Sequence, residues 1–291
     1  MIGADFFTFW SIGRLILAGQ NPYSFQLSQY PPAASYFFVL FAVLPFQISY
    51  ALWTGLNFVL VVDFIRKLKQ NYWKWAWLGF VPVIFILLEG QIDIFFLWLA
   101  SLMPSRGWKA ALIGALLTLK PQVAFIVLPW FFLQWVIHER KTLLQWLLIT
   151  AALQLSPLLI DPFLFQKWMV SIQTHKDWRM LASPGVFALS NLNVSMVIII
   201  LIALAICILG IRHDPMTSRA AQLLALPMGL WYENVLLLGS VPWWLVVPVS
   251  WLAFYAGTLV HSNYPFVIIP LLVFGWRMLS KPENAENQQP A

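Results

Sequence analysis

Repeated apolar runs constrain this chain more than any other feature of its sequence. Such runs cover, among others, residues 50–65, 143–160, 194–211 and 235–255. Only 10% of the residues are charged, against about 25% in a typical soluble domain. Several runs are shorter than the ~20 residues that a full membrane crossing needs. The sequence therefore predicts an all-α integral membrane protein, with residues 1–280 forming a single polytopic domain that includes short or re-entrant helices.

Basic residues predict how this domain is oriented. They gather in short segments between the apolar runs, at 66–74, 106–109, 140–141 and 212–219. Because Lys and Arg favour cytoplasmic loops, these segments are predicted to face the cytoplasm of a multi-pass cell-membrane protein. Counting crossings then puts Asp5, the 89–93 turn, Lys120 and the 161–193 segment together on the opposite face. Anchoring at lipid headgroups accounts for the net charge of +6, so we expect a lipid bilayer and no nucleic acid as a partner.

Two segments are predicted to be non-cytoplasmic loops, 5–44 and 161–193. In the first, Thr8, Ser11 and Arg14 recur at helical spacing and predict an interfacial amphipathic helix. Its apolar face is predicted to hold Phe6, Phe9, Trp10 and Leu17. Residues 33–44 follow paired prolines and are too short to span, which predicts a short or re-entrant helix. The polar tail, 281–291, is predicted to be disordered.

Charged residues near a membrane boundary are candidates for a functional role, because inserting one at a helix centre costs about 2.5 to 3.5 kcal/mol. Asp5 is either an N-cap of the first helix or a general base that activates a sugar or lipid hydroxyl. Lys120 precedes Pro121, a residue that often begins a helix. It is either a lysine that extends to the headgroups or a cation held for a lipid-linked phosphate or pyrophosphate.

Three other polar segments are each compatible with more than one role. Residues 89–93 hold two carboxylates and an amide, which fit either a solvated turn or a site. The mixed cluster of His175, Lys176, Asp177 and Arg179 could bind phosphate or keep a loop soluble. The carboxylate and amide within 231–234 indicate a pore, a site or a turn. No spacing predicts a metal centre or a cofactor site, so none is expected.

Several short motifs then resemble one family. The sequences GADFF (3–7), LAGQNPY (17–23) and YPP (30–32) are similar to the first external loop of glycosyltransferase family 87. GQID (90–93) and LKPQ (119–122) are similar to its later motifs and follow in the expected order. The family includes polyprenol-phosphate-mannose-dependent α-mannosyltransferases of the cell envelope. The resemblance implies a GT-C-like multi-helix transmembrane bundle with two non-cytoplasmic loops.

The resemblance also implies site residues. Asp5 matches the loop carboxylate proposed as the catalytic base, and Lys120 matches a lysine near the donor phosphate. Further substrate-binding candidates are Gln122, Arg14, Tyr30, Gln91, Asp93, His175, Lys176 and Arg179. Two departures stand out. Only four residues precede Asp5, where the family has a transmembrane helix, which predicts an N-terminal truncation or a late start. Residues 231–234 read WYEN, where relatives carry a histidine motif.

The leading hypothesis is an enzyme on the non-cytoplasmic face that transfers a hexose, mannose by resemblance, from a polyprenyl phosphate to a hydroxyl of a lipid or glycan. Asp5 would be the base and Lys120 would steady the departing phosphate. A transporter or lipid-handling protein is the alternative, because short apolar segments with polar interruptions also build substrate paths. A catalytically inactive membrane scaffold is a third hypothesis.

Overall fold

The computed structural model describes residues 2–25, 30–174, 185–227 and 230–280, and all regular secondary structure in these ranges is helical. Short 3₁₀ helices join or extend the α-helices. The α-helices are α1 (Ala4–Leu17), α2 (Pro32–Phe37), α3 (Val39–Ala42), α4 (Phe46–Lys67), α5 (Val81–Glu89), α6 (Asp93–Ser101), α7 (Trp108–Leu117), α8 (Pro121–Ile137), α9 (Arg140–Leu155), α10 (Leu164–Thr174), α11 (Met196–His213), α12 (Pro215–Ala225), α13 (Trp243–Val260) and α14 (Ile268–Leu279). The 3₁₀ helices are Pro22–Ser24, Tyr72–Gly79, Ser156–Leu159, Val186–Leu192, Trp231–Leu237 and Tyr264–Val267.

Four helical segments within the described ranges are long and apolar enough to cross a membrane. They are α4, Arg140–Leu159, α11 and α13. A fifth is formed if the 3₁₀ helix Tyr72–Gly79 and α5, which meet at a 54° bend, act as one broken span. Helices α7 and α8 are apolar but shorter. The protein is therefore an all-α membrane bundle of long and short helices, as the pattern of apolar runs predicts.

The centre of the bundle is built from the shorter helices. Helices α5, α6 and α8 contribute fully buried side chains such as Ile86, Phe96 and Trp135. Helix α12 is buried along almost its whole length and packs against α8, α11 and α14. The long helices α9 and α11 instead expose most of their apolar surface. The buried short helices position the site, and the exposed long ones offer the surface expected to meet lipid.

Helix α1 packs closely against α3, and Gly13 makes this possible. A Cβ atom at that position would collide with the carbonyl of Phe38, so only glycine fits the contact. The predicted faces of α1 are partly wrong. Thr8 is buried and Leu17 is half exposed. The buried face is set by close packing on neighbouring helices rather than by polarity alone.

The two segments predicted to be loops contain short helices that contact each other. Residues 33–42 fall within two short helices, α2 and α3, interrupted at Phe38, and residues 43–44 follow the end of α3. Helix α10, from the second segment, packs against α2 and against the Pro22–Ser24 3₁₀ helix. The predicted disorder of 281–291 concerns residues outside the described ranges.

Candidate active site

Asp5 lies in the first turn of α1, where the helix begins against the end of α5. Gly3 is the N-cap residue, with φ of 77°, and its N–H donates to the carbonyl of Leu88 at 2.9 Å. The N–H of Ala4 donates to Oε2 of Glu89 at 3.1 Å. Asp5 itself is half buried and does not cap the helix, so the N-cap interpretation is wrong. Its carboxylate is left to accept a hydrogen bond from a different segment.

That donor is Gln91, in the turn between α5 and α6. Its Nε2 lies 2.5 Å from Oδ2 of Asp5 and 3.0 Å from the hydroxyl of Tyr232. Gly90, with φ of 70°, ends α5, and Trp53 donates its indole N–H to the Gly90 carbonyl at 2.9 Å. Gln91 is 3% exposed. The interpretation of this turn as solvated is therefore wrong, and its amide links α1 to the Trp231–Leu237 helix.

Lys120 is the N-cap residue of α8, with Pro121 at the first helical position as its sequence predicts. Its Nζ lies 2.7 Å from Oδ1 and 2.8 Å from Oδ2 of Asp93, in the first turn of α6. A second carboxylate, Glu233, is 3.6 Å away, and the ring centroid of Tyr232 is 5.2 Å away. The lysine is 2% exposed, so the interpretation of a side chain extending to lipid headgroups is wrong. Its ammonium group instead lies inside the protein, between the carboxylates of Asp93 and Glu233.

The ionisation of the site follows from these contacts. Burial raises the pKa of Asp5, the hydrogen bond from Gln91 lowers it, and the nearby charge of Glu89 raises it, so that the net pKa is above the usual value. Burial alone would lower the pKa of Lys120, but the carboxylates of Asp93 and Glu233 outweigh it and raise that pKa. Lys120 is thus a fixed cation, and Asp5 is a carboxylate with increased proton affinity.

Asp5, Gln91, Asp93 and Lys120 are thus brought together, but the other predicted site residues lie further out. Tyr30 is close enough to Lys120 to interact with it electrostatically. Gln122 lies half buried in the first turn of α8. Arg14, exposed in the last turn of α1, stacks over Trp10 at 5.7 Å. It lies nine residues beyond Asp5, about 13 Å along the helix. His175, Lys176 and Arg179 fall outside the described residues.

Sequence reasoning did not select Tyr232 or Glu233 as site residues. Both are buried in the Trp231–Leu237 helix and contact Gln91 and Lys120 respectively. Glu233 also accepts a hydrogen bond from the N–H of Leu230 at 2.9 Å. The available signal was a carboxylate inside an apolar run. Sequence alone could not show that this carboxylate faces a lysine more than a hundred residues away.

A family model of glycosyltransferase family 87 matches residues 29–231, well over half of the chain. The match includes Tyr30, Gln91, Asp93 and Lys120, whereas Asp5 precedes it. No curated protein and no solved structure matches the chain. The matched segment supplies α2 to α12, which form most of the bundle, and both partners of the buried Lys120–Asp93 ion pair. The chain therefore belongs to glycosyltransferase family 87.

Proposed function

We propose that this glycosyltransferase moves a hexose, mannose in the leading case, from a polyprenyl phosphate to a hydroxyl of a lipid or glycan acceptor. The observation that carries the proposal is the half-buried carboxylate of Asp5, which is held by Gln91 at 2.5 Å beside the buried Lys120 cluster. A membrane-embedded bundle suits a donor whose carrier is itself a lipid. The reaction is proposed for the non-cytoplasmic face, where the basic segments predict that Asp5 lies.

Asp5 has the features that a general base requires. Its pKa is raised above that of a solvated carboxylate by burial, which increases its affinity for a proton at neutral pH. The hydrogen bond from Gln91 fixes the orientation of the carboxylate and keeps the rise in pKa limited. Oδ1, the oxygen that does not accept from Gln91, would accept the proton of the acceptor hydroxyl. A base of this kind contributes about 10²- to 10⁴-fold to rate.

The proposed reaction is a single displacement. The acceptor oxygen attacks the anomeric carbon and its proton passes to Asp5. The bond between the anomeric carbon and the phosphate oxygen breaks, and its electron pair leaves with the polyprenyl phosphate. The sugar carbon is inverted in this step. No other reactant is needed, because the proton gained by Asp5 and the negative charge gained by the leaving phosphate balance.

Lys120 is proposed to steady the departing phosphate by its positive charge. In the structure its ammonium group is bound to Asp93 and is 3.6 Å from Glu233. Glu233 is the more distant partner, and burial raises its pKa, so protonation weakens its hold on Lys120. A phosphate oxygen would take the place of Glu233, while Asp93 keeps the lysine in position.

The test uses membranes that contain the full chain and labelled polyprenyl-phosphate hexoses. Asp5→Asn keeps the size of the side chain but removes the base, and we expect a loss of at least about 100-fold in transfer rate. Asp161→Asn is the matched control, because Asp161 is a part-exposed carboxylate paired with Lys167 at 2.6 Å. It should retain transfer. Full activity of Asp5→Asn would eliminate Asp5 as the base.

The donor is tested separately with the unaltered protein. Polyprenyl-phosphate mannose, polyprenyl-phosphate glucose and nucleotide-linked mannose are offered in parallel. We expect transfer from the polyprenyl phosphate that carries mannose. Transfer from the nucleotide sugar alone would contradict the proposed donor class, while leaving the role of Asp5 to the variant experiment.

A further inference from the structure

A second region of the bundle has the features of a binding site. A cavity of about 780 Å³ lies at the end of α4 that is remote from Asp5. Helix α4 contacts the Asp5 site through Trp53 and reaches the cavity at Lys67. These residues are 14 positions apart, about 21 Å along the helix. The cavity is therefore separate from the candidate active site.

The wall of this cavity is basic. Five cationic side chains and no carboxylate are among its described lining residues: Lys67, Lys69, Arg106, Arg219 and Arg277. Three of them have carboxylate partners outside the lining, at distances of 2.6 to 3.3 Å: Asp63 for Lys67, Glu139 for Arg106 and Asp214 for Arg277. The tendency of Lys and Arg to occupy cytoplasmic loops accounts for the exposed cations of this wall. It does not account for a cation that is buried in the protein.

Arg219, in α12, is the buried cation that lacks such a partner. It is 4% exposed and forms none of the ion pairs found within the described ranges. Its Nη1 donates to the carbonyl of Leu236 at 3.4 Å, and its Nε has no hydrogen-bond partner among the described residues. Burial lowers the pKa of Arg219 to about 10, so it remains charged at neutral pH. A buried guanidinium without a counter-ion is costly unless an anion binds it.

Asp214, the carboxylate whose charge raises the pKa of Arg219, is already engaged by other groups. It accepts hydrogen bonds from the hydroxyl of Thr217 at 2.5 Å and from the backbone N–H of Met216 at 2.8 Å. It also pairs with Arg277 at 3.1 Å. Asp214 thus holds Arg277 at the cavity wall and attracts Arg219 only at longer range. Among the described residues, no carboxylate therefore forms an ion pair with Arg219.

The apolar part of the wall indicates what kind of ligand would fit. Trp243, Trp244 and Trp276 line the cavity beside the cations. Indole rings favour the headgroup level of a bilayer, and a guanidinium binds phosphate oxygens through paired N–H donors. We propose that this cavity binds an anionic phosphate group, with Arg219 as its principal cation and the tryptophans against the organic part of the ligand.

The experiment measures binding, so its result does not depend on glycosyl transfer. The purified full chain in detergent is titrated with phosphatidylglycerol, or with phosphatidylcholine of the same acyl chains, and bound lipid is counted by native mass spectrometry. We expect preferential binding of phosphatidylglycerol. Arg219→Gln should weaken it about tenfold or more, because one charge-assisted contact is lost. Arg66→Gln is the control, since Arg66 is 70% exposed, is paired with Asp63 and does not line the cavity.

Lys69→Gln provides a second variant that does not disturb the interior, because Lys69 is an exposed part of the wall. It should weaken binding several-fold even if Arg219→Gln fails to fold. Inorganic phosphate is added in a further arm. If millimolar phosphate displaces the lipid, the phosphate group that the cavity binds belongs to a soluble phosphate ester. If the lipid is retained, that phosphate group belongs to a lipid headgroup. Equal binding of both lipids without an effect of phosphate, or equal losses in the Arg66 and cavity variants, would overturn the proposal.

Discussion

The side-chain amide of Gln91 lies 2.5 Å from the carboxylate of Asp5, although 86 positions separate the two residues in the chain. The same nitrogen reaches the hydroxyl of Tyr232 at 3.0 Å. One buried amide therefore joins three segments that are remote in sequence. It also affects the proton affinity of Asp5 directly, because its hydrogen bond favours the ionised carboxylate.

Replacing Gln91 with leucine should change the pH dependence of transfer. As the proposed base, Asp5 would have to be ionised, and the hydrogen bond from Gln91 lowers its pKa. Without that bond the pKa of Asp5 rises, so the acid limb of the kcat/KM profile moves to higher pH, by about one unit. Transfer rates measured from pH 4 to pH 9 test this. Gln173→Leu, at an exposed position of α10, should leave the profile in place, and a shift of Gln91→Leu to lower pH would contradict the assignment.

Removing Lys120 should destabilise the fold. Lys120→Met leaves Asp93 as a buried, unpaired carboxylate, which costs about 3–5 kcal/mol. Replacing both partners, as Lys120→Met with Asp93→Leu, should restore most of the free energy of unfolding but not transfer. Denaturant unfolding in detergent measures the first effect and the transfer assay the second.

Lys167→Met is the matched control for that series. Its ion pair with Asp161 is at the surface, with the lysine side chain 38% exposed, and such pairs contribute about 0 to 1 kcal/mol. If Lys120→Met were as stable as Lys167→Met, the ion pair with Asp93 would have no structural importance.

Gly90 should resist substitution by alanine. Its φ is 70°, and a Cβ atom there would lie 2.6 Å from the Cβ of Phe6. Gly90→Ala should therefore cost about 1–3 kcal/mol from backbone strain and displace Gln91, the next residue. Gly55→Ala is the control, because Gly55 lies in α4 with open space around it, and a gain of roughly 0.5 to 1 kcal/mol is expected. Comparable melting temperatures for the two variants would contradict this account.

Much of the fold could be predicted because its signals are local. Apolar runs predict the helices, and Pro121 predicts the start of α8 directly after Lys120. The proximity of Asp5, Gln91 and Lys120 agrees with the grouping that charge and crossing counts predict. The partners of Lys120 could not be predicted, since they depend on which faces of α6 and the Trp231–Leu237 helix pack inward. The burial of Thr8 on α1 has the same origin, because close contact between helices outweighs the polarity of a single hydroxyl.

The Trp231–Leu237 helix contacts both regions. Near one end Tyr232 accepts a hydrogen bond from Gln91, and near the other the carbonyl of Leu236 accepts one from Arg219. A ligand that draws Arg219 away from Leu236 therefore removes a contact of the same short 3₁₀ helix that contains Tyr232. Because linkage between two binding events is reciprocal, if donor binding moves Tyr232, it would alter the affinity at Arg219 by the same factor by which a ligand at Arg219 alters the affinity for the donor. Occupancy of the basic cavity and affinity for the donor would then depend on each other through this one helix.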